Sequence, residues 1–195
     1  MLTSSVTLKH ADSRHMRMAS VIASVIAHAR QQSEIQLADV IAGIHVACLE
    51  RLLPFWPSAA AFEDFVAEHC DWSEHRLDTW GRWTFELLHP ARGTLRIPLT
   101  DWSVRIRNKR QFFGKNFTQS EQLRKVYATA EALTPNRVTT FNQVVPLITP
   151  ELFLFACTRT GDVELGKRLA ASGLHLDALE QVATAELASP EKLMF

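Results

Sequence analysis

The amino-acid sequence predicts a mainly α fold: a multi-helix globular protein with one β-hairpin and a C-terminal helical hairpin. Three observations lead there. The helix formers Ala, Leu, Glu and Arg dominate a chain of 195 residues that holds 7 Gly and 8 Pro. Apolar residues recur at three- and four-residue spacing along most of its length. In one stretch, Thr94–Arg107, the spacing drops to two, the period of a strand. The length suits one domain or two small ones. The expected division is 1–117 and 118–195, the two parts being either separate or continuous. Hydrophobic residues at 47% and charged residues at 22% are ordinary for a globular chain. A chain of this size buries enough apolar surface to need no disulfide or metal staple.

Residues 1–13 read as a lead-in, and Arg14–Gln32 as the first helix. Its apolar run Met18–Ala29 has a crude signal-peptide shape. Val21, Ile22, Val25, Ile26 and Ala29 nevertheless fall on one stripe, as a core-facing helix requires, and about twelve residues are too few to span a bilayer. Gln36–Leu53 repeats Leu37, Val40, Ile41, Ile44, Cys48 and Leu52, and Pro54 and Pro57 stop it. Ser58 is placed to cap a third helix, Ala59–Cys70. A fourth is expected from Ser73 to about Leu88.

The period then changes. Leu95, Ile97 and Leu99 alternate, as do Trp102, Val104 and Ile106, with Thr100–Asp101 between them as a turn. Paired about that turn, all six share one face, and Arg96 stands opposite Arg105. Pro98 is tolerable on an edge. Beyond the loop Arg110–Phe117 the chain returns to helix at Glu121–Leu133. Val138–Ile148 is apolar but interrupted by Pro146. Pro150–Thr158, Asp162–Ser172 with Gly173 just past its end, and Leu176–Ala188 complete the helices.

Net charge is zero, 21 cationic against 21 acidic residues, but it is segregated. Residues 50–80 sum to −5, residues 81–125 to +7 and residues 150–195 to −3. A neutral total can therefore hide a basic face. The three cysteines, Cys48, Cys70 and Cys157, are far apart and odd in number, which suits free thiols in a reducing, cytoplasmic setting. His45 and Cys48 lie one helical turn apart on the apolar stripe and are expected to be core residues. No metal or cofactor is expected. There is no Gly-rich phosphate loop, HExxH or GxSxG motif, so the chain is read as a non-enzyme.

Two local resemblances stand out. Val66–Trp83 (VAEHCDWSEHRLDTWGRW) resembles a helix-turn-helix over about 18 residues. Ala67 is the small residue at the helix contact, Cys70 and Trp72 flank the turn, and Leu77 and Trp80 are the buried pair of the second helix. With the hairpin 94–107 it is similar to a winged-helix unit. Phe155–Asp177 resembles one ankyrin repeat over about 23 residues. No second copy accompanies it, so it is read as an αα-hairpin.

The winged-helix resemblance implies nucleic-acid binding led by the basic hairpin. The residues it singles out are Arg96, Arg105, Arg107, Lys109, Arg110 and Lys115, with His75 and Arg82 on the outward side of the second helix. Like charges directly opposed, as Arg96 and Arg105 would be, repel unless an anion lies between them. Glu74 and Asp78 speak against reading bases with that helix. The expected function is therefore a nucleic-acid-binding regulator or assembly factor using a basic wing. The alternative is a protein–protein adaptor, chaperone or neutralising partner, in which the same face meets an acidic protein. No membrane association is expected.

Overall fold

In the computed structural model the described residues are 9–30, 32–70, 72–77, 83–89, 93–98, 118–160 and 163–194. They form seven α-helices with small sheets between them, so the chain is mainly α. Helix α1 (Arg14–Ala29) packs along α2 (Leu37–Leu52). The stripe that defines α1 as a core helix is Met16, Ala19, Ile22, Ala23 and Ile26, all buried. That of α2 is the expected one, Leu37, Val40, Ile41, Ile44, Cys48 and Leu52. Gly43 sits where the two backbones meet: a Cβ there would lie 2.3 Å from the carbonyl oxygen of Ala19. Pro54 falls inside a 3₁₀ turn, Leu53–Phe55, that ends α2. Ser58 Oγ accepts the amide of Ala61 at 3.1 Å and so caps α3 (Ala59–Cys70).

The next segment differs from expectation. Trp72–Leu77 is strand β3, not the start of a fourth helix, and it pairs antiparallel with β4 (Trp83–His89). Strand β5 (Gly93–Pro98) then pairs antiparallel with β4, placing Phe85 opposite Ile97 and Leu87 opposite Leu95. The physical reason is in the sequence. Trp83, Phe85 and Leu87 alternate with Thr84 and Glu86, a period of two that outweighs the single three-residue step from Leu77 to Trp80. The second helix of the helix-turn-helix reading is thus replaced by strand. The strand expected at Thr94–Leu99 is described over Gly93–Pro98, and its described partner is β4. The expected partner, Trp102–Arg107, lies outside the described residues.

Two smaller sheets were not expected. In the first, β1 (Ala11–Asp12) runs parallel to β8 (Gln143–Ile148), which pairs antiparallel with β7 (Arg137–Thr140). In the second, β2 (Glu34–Ile35) pairs with β6 (Thr118–Gln119). Pro146 did not break β8, because the ladder with β1 begins only at Leu147 and leaves one side of Pro146 without a strand partner. The expectation of one substantial hairpin is corrected accordingly: among the described residues β3–β4, β4–β5 and β7–β8 are each antiparallel pairs of consecutive strands.

Phe141 and Asn142 close the hairpin β7–β8 with φ of 48° and 59°. Positive φ at both central positions is the type I′ signature, which asparagine and glycine satisfy and phenylalanine does not. Phe141 is 84% exposed, so packing returns little for the strain. Phe141→Asn is expected to raise stability by about 1 kcal/mol, the left-handed penalty it relieves. Urea unfolding checks this, and a lower midpoint for the variant would show that the ring packs.

Helix α4 (Glu121–Leu133) is capped by Ser120 Oγ, and α5 (Pro150–Arg159) by Thr149 Oγ1, with Pro150 at its first position. Helices α6 (Val163–Ala171) and α7 (Leu176–Ala183) follow, and α5 packs on α4, α6 and α7. Gly173 takes φ of 81° just past α6, the left-handed exit expected of it. One buried apolar cluster runs from Met16 to Ala183, so helices on both sides of residue 117 share it. Its largest members include Phe62, Phe153 and Phe155, with Trp56 stacked on Phe62 at 4.1 Å.

Candidate functional site

The structure places two of the residues singled out for binding in one sheet, on strands separated by β4. Arg96 lies on β5 in register with Glu86 of β4. His75 lies on β3, in register with Phe85, and not on a recognition helix. Both belong to the sheet β3–β4–β5. Arg82, Arg105, Arg107, Lys109, Arg110 and Lys115 lie outside the described residues. The described cross-strand neighbour of Arg96 is the acid Glu86, and its expected neighbour Arg105 lies outside the described residues.

Sequence reasoning missed two polar clusters in the helical body. In the first, Arg51 at the end of α2 donates from Nε to the Glu151 carboxylate in the first turn of α5. Glu151 is 2% exposed, and its Oε2 has no hydrogen-bond partner. Cys48, one turn before Arg51, is pushed up to about 12, first by burial and then by the Glu151 charge. It is therefore a neutral thiol at physiological pH and a poor nucleophile. His15, nearby on α1, is held below the ordinary imidazole value by desolvation, then by Arg51.

The second cluster joins β1, α1 and α4. His10 Nδ1 lies 2.7 Å from Glu131 Oε1, and its Nε2 lies 3.8 Å from Asp12 Oδ1. The imidazole stacks on Tyr127 at 4.7 Å, and the Tyr127 hydroxyl is 3.3 Å from Ser20 Oγ. Burial, then the Asp12 charge, pushes the phenol well above its ordinary value. Such a set fastens β1 to α4. It has the parts of a proton relay, yet among the described residues no nucleophile is shown within reach of a His10 nitrogen.

His45 is buried beside Cys48, with its ring edge-on to Phe62 at 5.0 Å, in keeping with a core position. All three cysteines are buried and none is in a disulfide. Among the described residues no group of three His, Cys, Asp or Glu side chains is arranged to hold a metal, and no helix is long and apolar enough to cross a membrane. An open groove of about 650 Å³ lies between α4, α5 and α7. Phe155 lines it under the guanidinium of Arg159, which pairs with Glu180 at 3.2 Å. No family model, curated protein or solved structure matches the chain.

Proposed function

We propose that the protein is a non-enzymatic binding protein whose basic segment, residues 96–115, contacts an anionic partner, nucleic acid in the first instance. The observation that carries this reading is the segregation of charge. Residues 81–125 hold an excess of +7 directly after a block of −5. A local field of that kind concentrates phosphate, whatever the net charge of the whole chain. The strand β5, which holds Arg96, is a second support. A recognition helix has no part in the reading, because residues 72–77 are strand. Contact through phosphates is instead electrostatic and indifferent to sequence.

The test is fluorescence anisotropy with duplex and single-stranded oligonucleotides over a range of salt. Each phosphate neutralised contributes about −0.9 to the log–log salt slope on duplex DNA. Replacing Arg105 and Arg107 together by alanine should flatten the slope by about two units. Absence of binding at about 50 mM salt, where screening is weak, overturns the nucleic-acid reading.

A second reading, an interaction protein that meets an acidic protein partner, is favoured by a different observation. Phe141 and Val144 are 84% and 68% exposed at the tip of β7–β8. Exposed apolar surface suits contact with a protein better than contact with phosphates. A pull-down comparing wild type with Phe141→Asn and with the double-arginine variant separates the two readings.

A further inference from the structure

We propose that the Arg30 guanidinium clasps the helical body to the root of the sheet β3–β4–β5, and that the clasp opens when Asp39 takes up a proton. The structural claim stands by itself; its bearing on partner binding rests on the function proposed above. Arg30 follows the last residue of α1. Its Nη1 lies 3.1 Å from Asp39 Oδ1 in the first turn of α2. Its Nη2 donates to the carbonyl of Cys70, the last residue of α3, and β3 starts two residues later. One side chain thus ties three helix ends together at the point where the chain enters the sheet. A helix C-terminus leaves carbonyls without intrahelical partners, and a guanidinium is well suited to satisfy one.

Asp39 supplies the control. Its side chain is fully buried, while that of Arg30 is 13% exposed. Its Oδ2 accepts the Gln36 amide at 2.8 Å, so Arg30 and Gln36 each take one carboxylate oxygen. Among the described residues the charged group facing it is Arg30, which follows α1. From α3 come the Cys70 carbonyl and, in the same turn, His69, whose ring lies flat on Phe65 at 5.5 Å. Burial pushes Asp39 up to about 6, although the Gln36 amide and then Arg30 pull it down.

The sign of the effect follows from linkage. Because Arg30 lowers the Asp39 value, a state in which Arg30 has left holds the proton more tightly than the clasped state. Acidification through about pH 6 therefore favours release, with Asp39 neutral and still buried. Relative to the unfolded chain the sign is opposite. The folded value lies above that of an ordinary carboxylate, about 3.9. The group's contribution to global stability is thus fully present below about pH 4 and is lost as pH rises through about 6. Acid loosens the clasp, while the contribution of Asp39 to the fold is kept.

The experiment is hydrogen exchange on the full chain at about pH 5 and about pH 7.5, with rates corrected for intrinsic exchange. Peptides spanning 66–77 report the clasp, and peptides spanning 37–48 report the core. In the wild type, protection of 66–77 should fall about tenfold at the lower pH, the change in charged fraction one unit below the Asp39 value. The core peptide should keep its protection. Asp39→Asn preserves an acceptor for the Gln36 amide but carries no charge, and its 66–77 peptide should be poorly protected at both pH values. Arg30→Gln should behave alike. A pH-independent wild-type profile overturns the proposal, as does wild-type protection at pH 7.5 in Asp39→Asn. The wild-type profile decides alone if either variant fails to fold. A protein that shows the expected exchange but binds no oligonucleotide keeps the clasp and loses the nucleic-acid reading.

Discussion

Gly43→Ala is expected to destabilise the protein by about 3 kcal/mol, the upper end of the usual cost of overpacking a core. In an isolated helix the same change would gain up to about 1 kcal/mol from propensity. Here the new methyl would meet the backbone carbonyl oxygen of Ala19 at 2.3 Å, with the Ala19 carbonyl carbon at 3.1 Å. No rotamer change relieves a contact with backbone, so α1 and α2 must separate. That separation opens the seam filled by Ala19, Ile22, Ile26, Val40, Ile41 and Ile44. Gly166 provides the contrast. It lies within α6 with nothing within 4 Å of its would-be Cβ, so Gly166→Ala should stabilise by up to about 1 kcal/mol. Urea denaturation of both variants reads the two signs directly. Equal midpoints for wild type and Gly43→Ala would mean that the helices are not in contact there.

Arg51→Met is expected to cost about 3 kcal/mol, the lower end of the range for breaking a buried ion pair. The pair is asymmetric: Glu151 is 2% exposed and Arg51 is 35% exposed. Removing the arginine strands a carboxylate inside the protein, and one of its oxygens already has no hydrogen-bond partner. The low end of the range applies because water reaches the Arg51 side and screens part of the loss. Arg51→Met combined with Glu151→Leu should recover most of the stability, since apolar replacements of buried pairs are often neutral or better. Thermal melts of the two singles and the double give the coupling energy. A double variant no more stable than Arg51→Met would show that Glu151 owes little to this partner.

How much was legible in the sequence depended on how local the determining interactions are. Ser58 and the helix it caps were readable because a cap and its amide are three residues apart. The stripe of α2 and the left-handed Gly173 were readable for the same reason. The segment 72–89 was misread because Leu77 and Trp80 fit a helical step, while the period-two run Trp83, Phe85, Leu87 carried more weight. The hairpin β7–β8 was obscured by Pro146, whose tolerance depends on β1, more than a hundred residues away in sequence. The polar clusters were not legible at all. Arg51 and Glu151 are separated by 100 positions, and His10 and Glu131 by 121. No local pattern distinguishes Glu151 from an ordinary acid in the first turn of a helix, a position that favours acids anyway.

The parallel pairing of Ala11 with Leu147 sets an order of events during translation. Helices α1 and α2 can associate as soon as residue 52 has left the ribosome, since everything they need is local. The strand that precedes them must wait for its partner until more than 130 further residues have been made. At roughly 5–20 residues per second, that interval is on the order of ten seconds. For that time residues 11–12 have no edge to pair with, and His10 lacks the α4 carboxylate that later holds it. The first of the described strands along the chain is therefore among the last to be used.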